Sequence, residues 1–419
     1  MMKIGYACLT AGVPDTELKS CILKNASEDN LTRIIDHNLN ALENIIDYNI
    51  KNEIKLFRIS SDIIPFGSNH VNKLVWWEIF GSRFKSLGSK IIANGLRVSM
   101  HPGQYTVINS NNEDVVSRAI EDLIYHDRVL NSLGVDCGNK IILHIGGIYN
   151  DKEDAIGRFS RNYDKLASSI KNRLVIENDE KSYNIQDVLK IGKDLKIPVV
   201  YDNLHNAVNP YDHTKTDCYW IEQCRETWTE KDGMQKVHYS QQNPGKKPGA
   251  HSDSIRINHF IEFYEALERE DLDIMLEVKD KNISALKCIN CTRQDVKRTR
   301  IETEWGRYKY KILENSQEIY LEIRALFRDD QFIPVIDFYN LIEAALDKKA
   351  DPGNFLNSAM HVWGYFKNLA DEKEKKSFLQ HVENRDVSDR SMKAVKRFLH
   401  KMAIKYKQDY LLDSYYFVY

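Results

Sequence analysis

Eight residues with lone pairs to offer recur at intervals through the first two thirds of the chain: His101, His144, Glu177, Asp202, His205, His238, His251 and Glu277. Most close a short run of β-branched and aliphatic residues, as in Ile141-Ile142-Leu143-His144, Leu174-Val175-Ile176-Glu177, Val199-Val200-Tyr201-Asp202 and Ile274-Met275-Leu276-Glu277. A carboxylate at the end of an apolar strand is costly to bury uncompensated, so it must meet a cation, a paired side chain or water. Taken singly, each histidine reads as an ordinary hydrogen-bonded residue and each carboxylate as half of a salt bridge. Taken together, imidazoles interleaved with carboxylates form a mixed nitrogen and oxygen donor set, which suits manganese, zinc or iron better than calcium.

Asp202 and His205 form an Asp-x-x-His at a strand end, a hinge short enough to present both groups to one cluster. His251 follows His238 after the loop Gln241 to Ala250, which is rich in Gly and Pro and carries Lys246 and Lys247. That loop reads either as a solvated turn or as a lid contacting phosphate. Asp253 is expected to cap a helix beginning near Ser254. Lys236 is the odd member, because a period of two puts it on the inward face with His238. An ammonium among bound cations is repelled, so Lys236 must be paired with carboxylates, deprotonated, or converted to an acidic group such as a carbamate.

Positioning these groups requires strands, and eight runs supply them: Lys3 to Ala7, Lys55 to Ser60, Leu96 to His101, Lys140 to Ile145, Leu174 to Asp179, Ile197 to Asn203, Met234 to Ser240 and Leu272 to Val278. Between them lie roughly 17 to 47 residues that mostly read as amphipathic helix, for instance Leu31, Ile34, Ile35, Leu42, Ile45 and Ile46 behind a capping Ser27. Eightfold alternation of strand and helix in this length predicts a closed (β/α)8 TIM barrel of the α/β class, with an open doubly wound sheet as the alternative. In such a barrel the active site lies at the carboxyl ends of the strands.

The chain has 419 residues, more than one barrel needs, and a net charge of only -2. No global basic field points to nucleic acid, although loop lysines and bound cations supply local positive potential. No apolar run approaches the roughly 20 residues that span a bilayer, and a soluble, cytoplasmic protein is expected. Seven cysteines with no secretory signal argue for reduced thiols. Cys288 and Cys291 form a CxxC without a second pair, so incidental thiols are expected rather than a zinc site.

Further motifs accompany the donor set: Gly5-Tyr6-Ala7, Arg58-Ile59-Ser60-Ser61-Asp62-Ile63-Ile64-Pro65-Phe66, His101-Pro102-Gly103-Gln104-Tyr105, Glu177-Asn178-Asp179, and Lys236-Val237-His238 with His251. From about residue 1 to 290 the sequence resembles the UV damage endonuclease family, DNA repair enzymes with a TIM barrel and a trinuclear metal centre. The resemblance implies a metal-dependent endodeoxyribonuclease that cuts immediately 5′ of ultraviolet photoproducts and other distorting lesions. It implies divalent ions, manganese foremost and three per chain, held by His70, His101, His144, Glu177, Asp202, His205, His238, His251 and Glu277. His70 lies in a segment one residue longer than the family pattern, and Asn206 stands where many members have a further histidine. Lys236 falls where the family has a carboxylated lysine, and with Glu177 and His238 it makes the expected catalytic set. Gln104 and Tyr105 match the pair inserted at the lesion, and Tyr6 matches a tyrosine near the site; with Lys246 and Lys247 they are the expected DNA contacts. A lesion that weakens stacking lowers the cost of inserting an aromatic wedge, so selectivity would come from deformability. The implied partner is damaged double-stranded DNA, with no membrane, no indicated protein partner and a monomeric state.

The expected domains are a barrel over residues 1–294 and a helical extension of open role over 295–419. Helices are expected over Trp305 to Arg328, Phe332 to Leu346, Asn354 to Leu369 and Ser391 to Asp409. Asp371 to Lys376 reads as a solvated face, and the last helix carries Lys393, Lys396, Arg397, Lys401, Lys405 and Lys407 beside Tyr406 and Tyr410, a candidate DNA grip. Metals and fold alone also fit an abasic-site endonuclease or a metal-dependent sugar isomerase. A non-catalytic lesion-binding protein is the alternative of another class, but a mere binder has no need to bury three carboxylates.

Overall fold

The computed structural model describes residues 2–328, 333–383 and 389–419. Every one of the eight runs is a strand, trimmed or shifted at its ends by a residue or two: Ile4–Cys8 (β1), Leu56–Ile59 (β2), Arg97–Met100 (β3), Ile141–His144 (β4), Leu174–Glu177 (β5), Val199–Asp202 (β6), Gln235–Tyr239 (β7) and Leu272–Leu276 (β8). They pair in parallel in chain order, and β8 returns to β1 through Ile4↔Ile274, Gly5↔Met275 and Tyr6↔Leu276. That closure excludes the open sheet. Strands this apolar form because both faces are covered, one by the barrel interior and one by helices.

The helix Glu28–Lys51 illustrates the outer layer. Ser27 caps it by accepting a bond from the Asn30 amide, and Leu31, Ile35, Leu39, Leu42 and Ile46 are buried at three- and four-residue spacing. The helix Glu113–Leu133 is capped by Asn112 and ends at Gly134, whose φ of +70° suits a residue without Cβ. The amino end of the barrel is closed by charge: Arg97 Nη1 meets Asp273 Oδ2 at 2.8 Å, and Lys140 Nζ meets Asp232 Oδ1 at 2.7 Å.

The chain folds into two compact units. One comprises residues 1–10, 15–255 and 263–286; the other comprises 11–14, 256–262 and 287–419. The second is helical around Phe355, Ala359, Val362, Phe366, Val395, Leu399 and Leu411, with Trp363 stacked on Phe378 at 4.2 Å. The bounds of its helices differ from the sequence expectation at several points. The stretch Trp305 to Arg328 is two helices, Arg298–Asn315 and Gln317–Leu326, because Ser316 is extended and its hydroxyl accepts from the Ile319 amide. The third expected helix starts at Pro352 behind its cap Asp351 and ends at Trp363, and the last runs Asp389–Lys405, followed by Lys407 at φ +50°. Val335–Asp347 follows Pro334, while Phe332 lies outside the described residues. Among the described residues no helix is long and apolar enough to cross a membrane.

Candidate metal centre

The carboxyl ends of β3 to β8 bring the donor set together around one carboxylate. Register places His144 beside Glu177 and Asp202 beside His238 on neighbouring strands. Glu177 is buried, and its Oε2 lies 3.2 Å from His101 Nε2 and 3.7 Å from His144 Nε2. Its Oε1 lies 2.7 Å from His238 Nδ1 and 3.8 Å from His205 Nδ1. Within this ring two groups have ligand atoms mutually within 4.8 Å: His101, His144 and Glu177, and Glu177, Asp202 and His238. Glu177 belongs to both groups.

Hydrogen bonds behind the ring aim the imidazoles. His101 Nδ1 donates to its neighbour's carbonyl, Pro102 O, at 3.0 Å, and His205 Nδ1 donates to Asn178 O at 2.9 Å. The other nitrogens face carboxylates, His101 Nε2 at 3.2 Å from Glu177 Oε2 and His205 Nε2 at 3.7 Å from Glu180 Oε2, and fixing a ring through one nitrogen is the usual outer-layer arrangement around metal-binding histidines. Asp202 Oδ1 accepts from the His205 amide at 2.7 Å, so the Asp-x-x-His hinge is a helix cap as well as a pair of donors. Asp202 Oδ2, His144 Nδ1 and His238 Nε2 are buried with no hydrogen-bond partner. Orphaned buried polar atoms cost about 1–3 kcal/mol each, and a cation satisfies oxygens and unprotonated nitrogens at once. The residues present therefore fit divalent metal ions.

Electrostatics agree. Burial alone would raise the Glu177 carboxyl, but His238 and His101 hold it well below the usual range. Burial pushes Asp202 up to about 6 against the pull of His205. Burial brings His144 down to about 4, whereas His205, despite its own burial, is lifted to about 9 by Asp202 and Glu177.

Other expected site residues fall in different places. Glu277 is near His238 and His251, at 3.4 and 3.6 Å, but its carboxylate is already paired with Arg58 at 2.5 Å, which with burial opposing keeps it strongly acidic. His251 returns to the mouth because the Gln241 to Ala250 loop is closed at its base, with Asn243 N bonded to Ala250 O at 2.7 Å and a bridge between Gln242 and His251. Lys246 and Lys247 are exposed at its tip. Asp253 does not cap a helix near Ser254: the helix begins at Ile257, and the carboxylate instead meets Lys279 at 2.7 Å and Asn243 at 3.3 Å.

Lys236 is buried on β7, and its Nζ has no hydrogen-bond partner. Pairing with a carboxylate is therefore not its solution. Burial first, then the positive field of Arg97, holds the amine well below the ordinary lysine range. Gln104 and Tyr105 sit at the tip of the loop after β3, with Tyr105 71 % exposed. Tyr6 is elsewhere: it is buried, and its hydroxyl donates to Asn49 Oδ1 at 2.9 Å on the helix Glu28–Lys51. Alternation along β1 turns it toward the helical layer, so it is not a DNA contact in this conformation. His70 is likewise not brought to the ring; it is exposed, in a cleft of about 960 Å³ lined also by Lys73, Trp77, Arg118 and Tyr105.

Several participants escaped sequence reasoning. Arg58 was visible in the motif Arg58 to Phe66 and as a charged residue inside a strand, but its pairing with Glu277 was not. Asn178 is tied to Asp202 in both directions, through its Oδ1 to the Asp202 amide at 2.9 Å and its Nδ2 to Asp202 O at 3.0 Å. Ser61, Asp122 and His126 hold the loop after β3. Ser61 Oγ donates to His101 O at 2.9 Å, His126 Nε2 lies 2.8 Å from Ser61 Oγ, and Thr106 Oγ1 donates to Asp122 Oδ2 at 2.6 Å.

Comparison with known proteins adds to this geometry. The family described as UV-endonuclease UvdE matches residues 2–305, and a family described as protein of unknown function matches residues 309–419. A UV DNA damage endonuclease of Clostridium perfringens is 43% identical over 392 residues, covering 89% of this chain and 93% of that one. A putative UV-damage endonuclease of Acanthamoeba polyphaga mimivirus is 35% identical over 300 residues, covering 68% and 90%. The crystal structure of SacUVDE is 38% identical with a TM-score of 0.65 and covers 69% of this chain and 97% of that one.

Proposed function

The chain belongs to the UV-endonuclease UvdE family, and from that premise we propose a DNA repair endonuclease that recognises ultraviolet photoproducts and other distorting lesions. In this reading it hydrolyses the phosphodiester immediately 5′ of the lesion at a multinuclear metal centre. The observation that carries the chemistry is Glu177 ringed by four imidazoles at 2.7 to 3.8 Å. His101, His144, Glu177, Asp202 and His238 would hold divalent ions, manganese being the expected one, with His205, His251 and Glu277 completing the set. Ions held there would supply Lewis acidity toward water and toward the phosphodiester.

The chain's own residues do the rest. Tyr105 and Gln104 at a solvent-exposed loop tip can enter a weakened stack, while the exposed Lys246 and Lys247 take backbone phosphates. His238, in contact with both Glu177 and Glu277, is placed to hold a proton between the carboxylates. Lys236 as a free amine is the form that adds carbon dioxide, and a carbamate there would supply a further acidic group on the inward face of β7.

The test is nicking of supercoiled plasmid in manganese, comparing irradiated, abasic and untreated DNA with wild type and Glu177→Gln. Nicking of irradiated but not of untreated plasmid, with or without nicking of abasic plasmid and with Glu177→Gln at least about a hundredfold slower, supports the reading. Cutting of abasic plasmid alone, or no cutting of any DNA, would overturn it. End-labelled damaged duplex then maps the cut relative to the lesion.

A further inference from the structure

The helical unit carries a surface that the barrel chemistry does not use. Along one side of the helix Arg298–Asn315 stand Arg298, Glu302, Trp305 and Lys309, a stripe at three- and four-residue spacing. Trp305 packs on Tyr320 at 5.3 Å and on Phe327 at 6.3 Å. One turn further on, Lys309 Nζ lies 4.9 Å from the ring of Tyr410, which is itself near-parallel to Tyr365 at 6.0 Å and 18°. Tyr365 is 36% exposed and Tyr410 is 42% exposed. The Tyr365 hydroxyl is 2.9 Å from that of Tyr310, and the Tyr410 hydroxyl donates to Gly306 O at 3.3 Å, so both rings are anchored at their polar ends with ring surface left to solvent.

Charge favours a polyanion. Lys309 and Arg324 lean on aromatic rings and form no ion pair with a described carboxylate, Arg324 lying 5.9 Å from the Tyr320 ring. Glu302, the one acid on the stripe, is neutralised by Arg298 at 2.7 Å. Residues 287–419 hold 24 Lys and Arg against 20 Asp and Glu, whereas residues 1–286 hold 35 against 41. The chain's positive excess therefore lies in this unit.

We propose that this face binds single-stranded DNA, the bases stacking on Tyr365, Tyr410 and Trp305 and the phosphates meeting Lys309 and Arg324. Aromatic rings interleaved with cations form the platform that single strands use without regard to sequence. A duplex hides its base faces and gains nothing from exposed rings. The stripe from Arg298 to Lys309 extends about 16 Å, room for about four or five nucleotides at the 3.4 Å spacing of one strand. The candidate grip on the last helix is the weaker surface, since two of its six basic residues are committed, Lys396 to Glu314 at 2.8 Å and Lys405 to Glu374 at 2.6 Å.

The experiment is fluorescence anisotropy of a labelled, undamaged thymidine 15-mer with the full chain, comparing wild type, Tyr365→Ala and Arg324→Glu. Arg324 is exposed and its change leaves the fold intact, while the melting temperature of Tyr365→Ala is read alongside its binding because its hydroxyl meets that of the buried Tyr310. Binding by wild type, weakened about tenfold or more by Tyr365→Ala and by Arg324→Glu, supports the proposal. Equal binding by wild type and both platform variants would overturn it, as would absence of binding, tighter binding of a uridine strand, or displacement by duplex at equal concentration. The platform variants are expected to nick a short irradiated duplex at the wild-type rate, so loss of nicking elsewhere bears on the barrel alone.

Discussion

Two side chains of the barrel mouth make predictions on their own. His205 is lifted to about 9 in the metal-free protein and is protonated at neutral pH, yet a metal needs the neutral imidazole. Manganese binding at pH 7 is therefore expected to release about one proton per chain and to tighten about tenfold per pH unit up to about pH 9. Calorimetry in two buffers of different ionisation enthalpy reads the proton directly; none released would remove His205 from the ligand set. The same raised value gives the metal-free fold a contribution that is complete below the unfolded imidazole range and is lost as pH rises through about 9. Lys236 differs, because its amine is buried without a partner. Lys236→Met should leave the melting temperature unchanged or slightly higher, while nicking falls about a hundredfold or more. Retained nicking with a fallen melting temperature would reduce Lys236 to a packing role.

Among the elements, the helix Glu113–Leu133 has two duties. Through Asp122 and His126 it holds both ends of the loop that carries Gln104 and Tyr105, at Thr106 and, by way of Ser61, at His101. Asp122→Ala removes the anchor at Thr106 and is expected to cost about 1–3 kcal/mol of stability. Its more telling effect is on selectivity: cutting of irradiated over intact DNA should narrow several-fold at unchanged manganese content. Undiminished selectivity would show that the loop orders itself. The same helix ends against the helix Gly81–Ala93, where a Cβ on Gly88 would lie 1.6 Å from Leu133 O. Gly88→Ala must push the two helices apart and should cost about 1–3 kcal/mol or more, read as a lowered melting temperature.

At the scale of the whole molecule, the net charge of -2 predicts little long-range attraction to DNA. Salt dependence of binding to damaged duplex should then report local contacts only. Removing Lys246 and Lys247 together is expected to flatten the slope of log K against log salt by up to about 2, with the maximal nicking rate retained. An unchanged slope would place the loop away from the phosphates.

Much of this molecule was written along the chain. Strands buried on both faces read as unbroken β-branched runs, so all eight and their closure into a barrel were legible, as was the period of two that turns Lys236 and His238 inward. The donor set was legible for the same reason, since each strand end is a local feature with its residue type in view. Boundaries in the helical unit were less so, because Ser316 ends one helix and caps the next with a residue that a periodic pattern passes over. Tertiary structure alone decided which donors share a centre: that Glu177 stands among four imidazoles, that Arg58 already neutralises Glu277, and that His70 faces another cleft. It alone decided that Tyr6 is bonded to Asn49 in the helical layer. Such distances depend on register, loop closure and the direction of each side chain across a closed sheet, and these are properties of neighbours far apart in sequence.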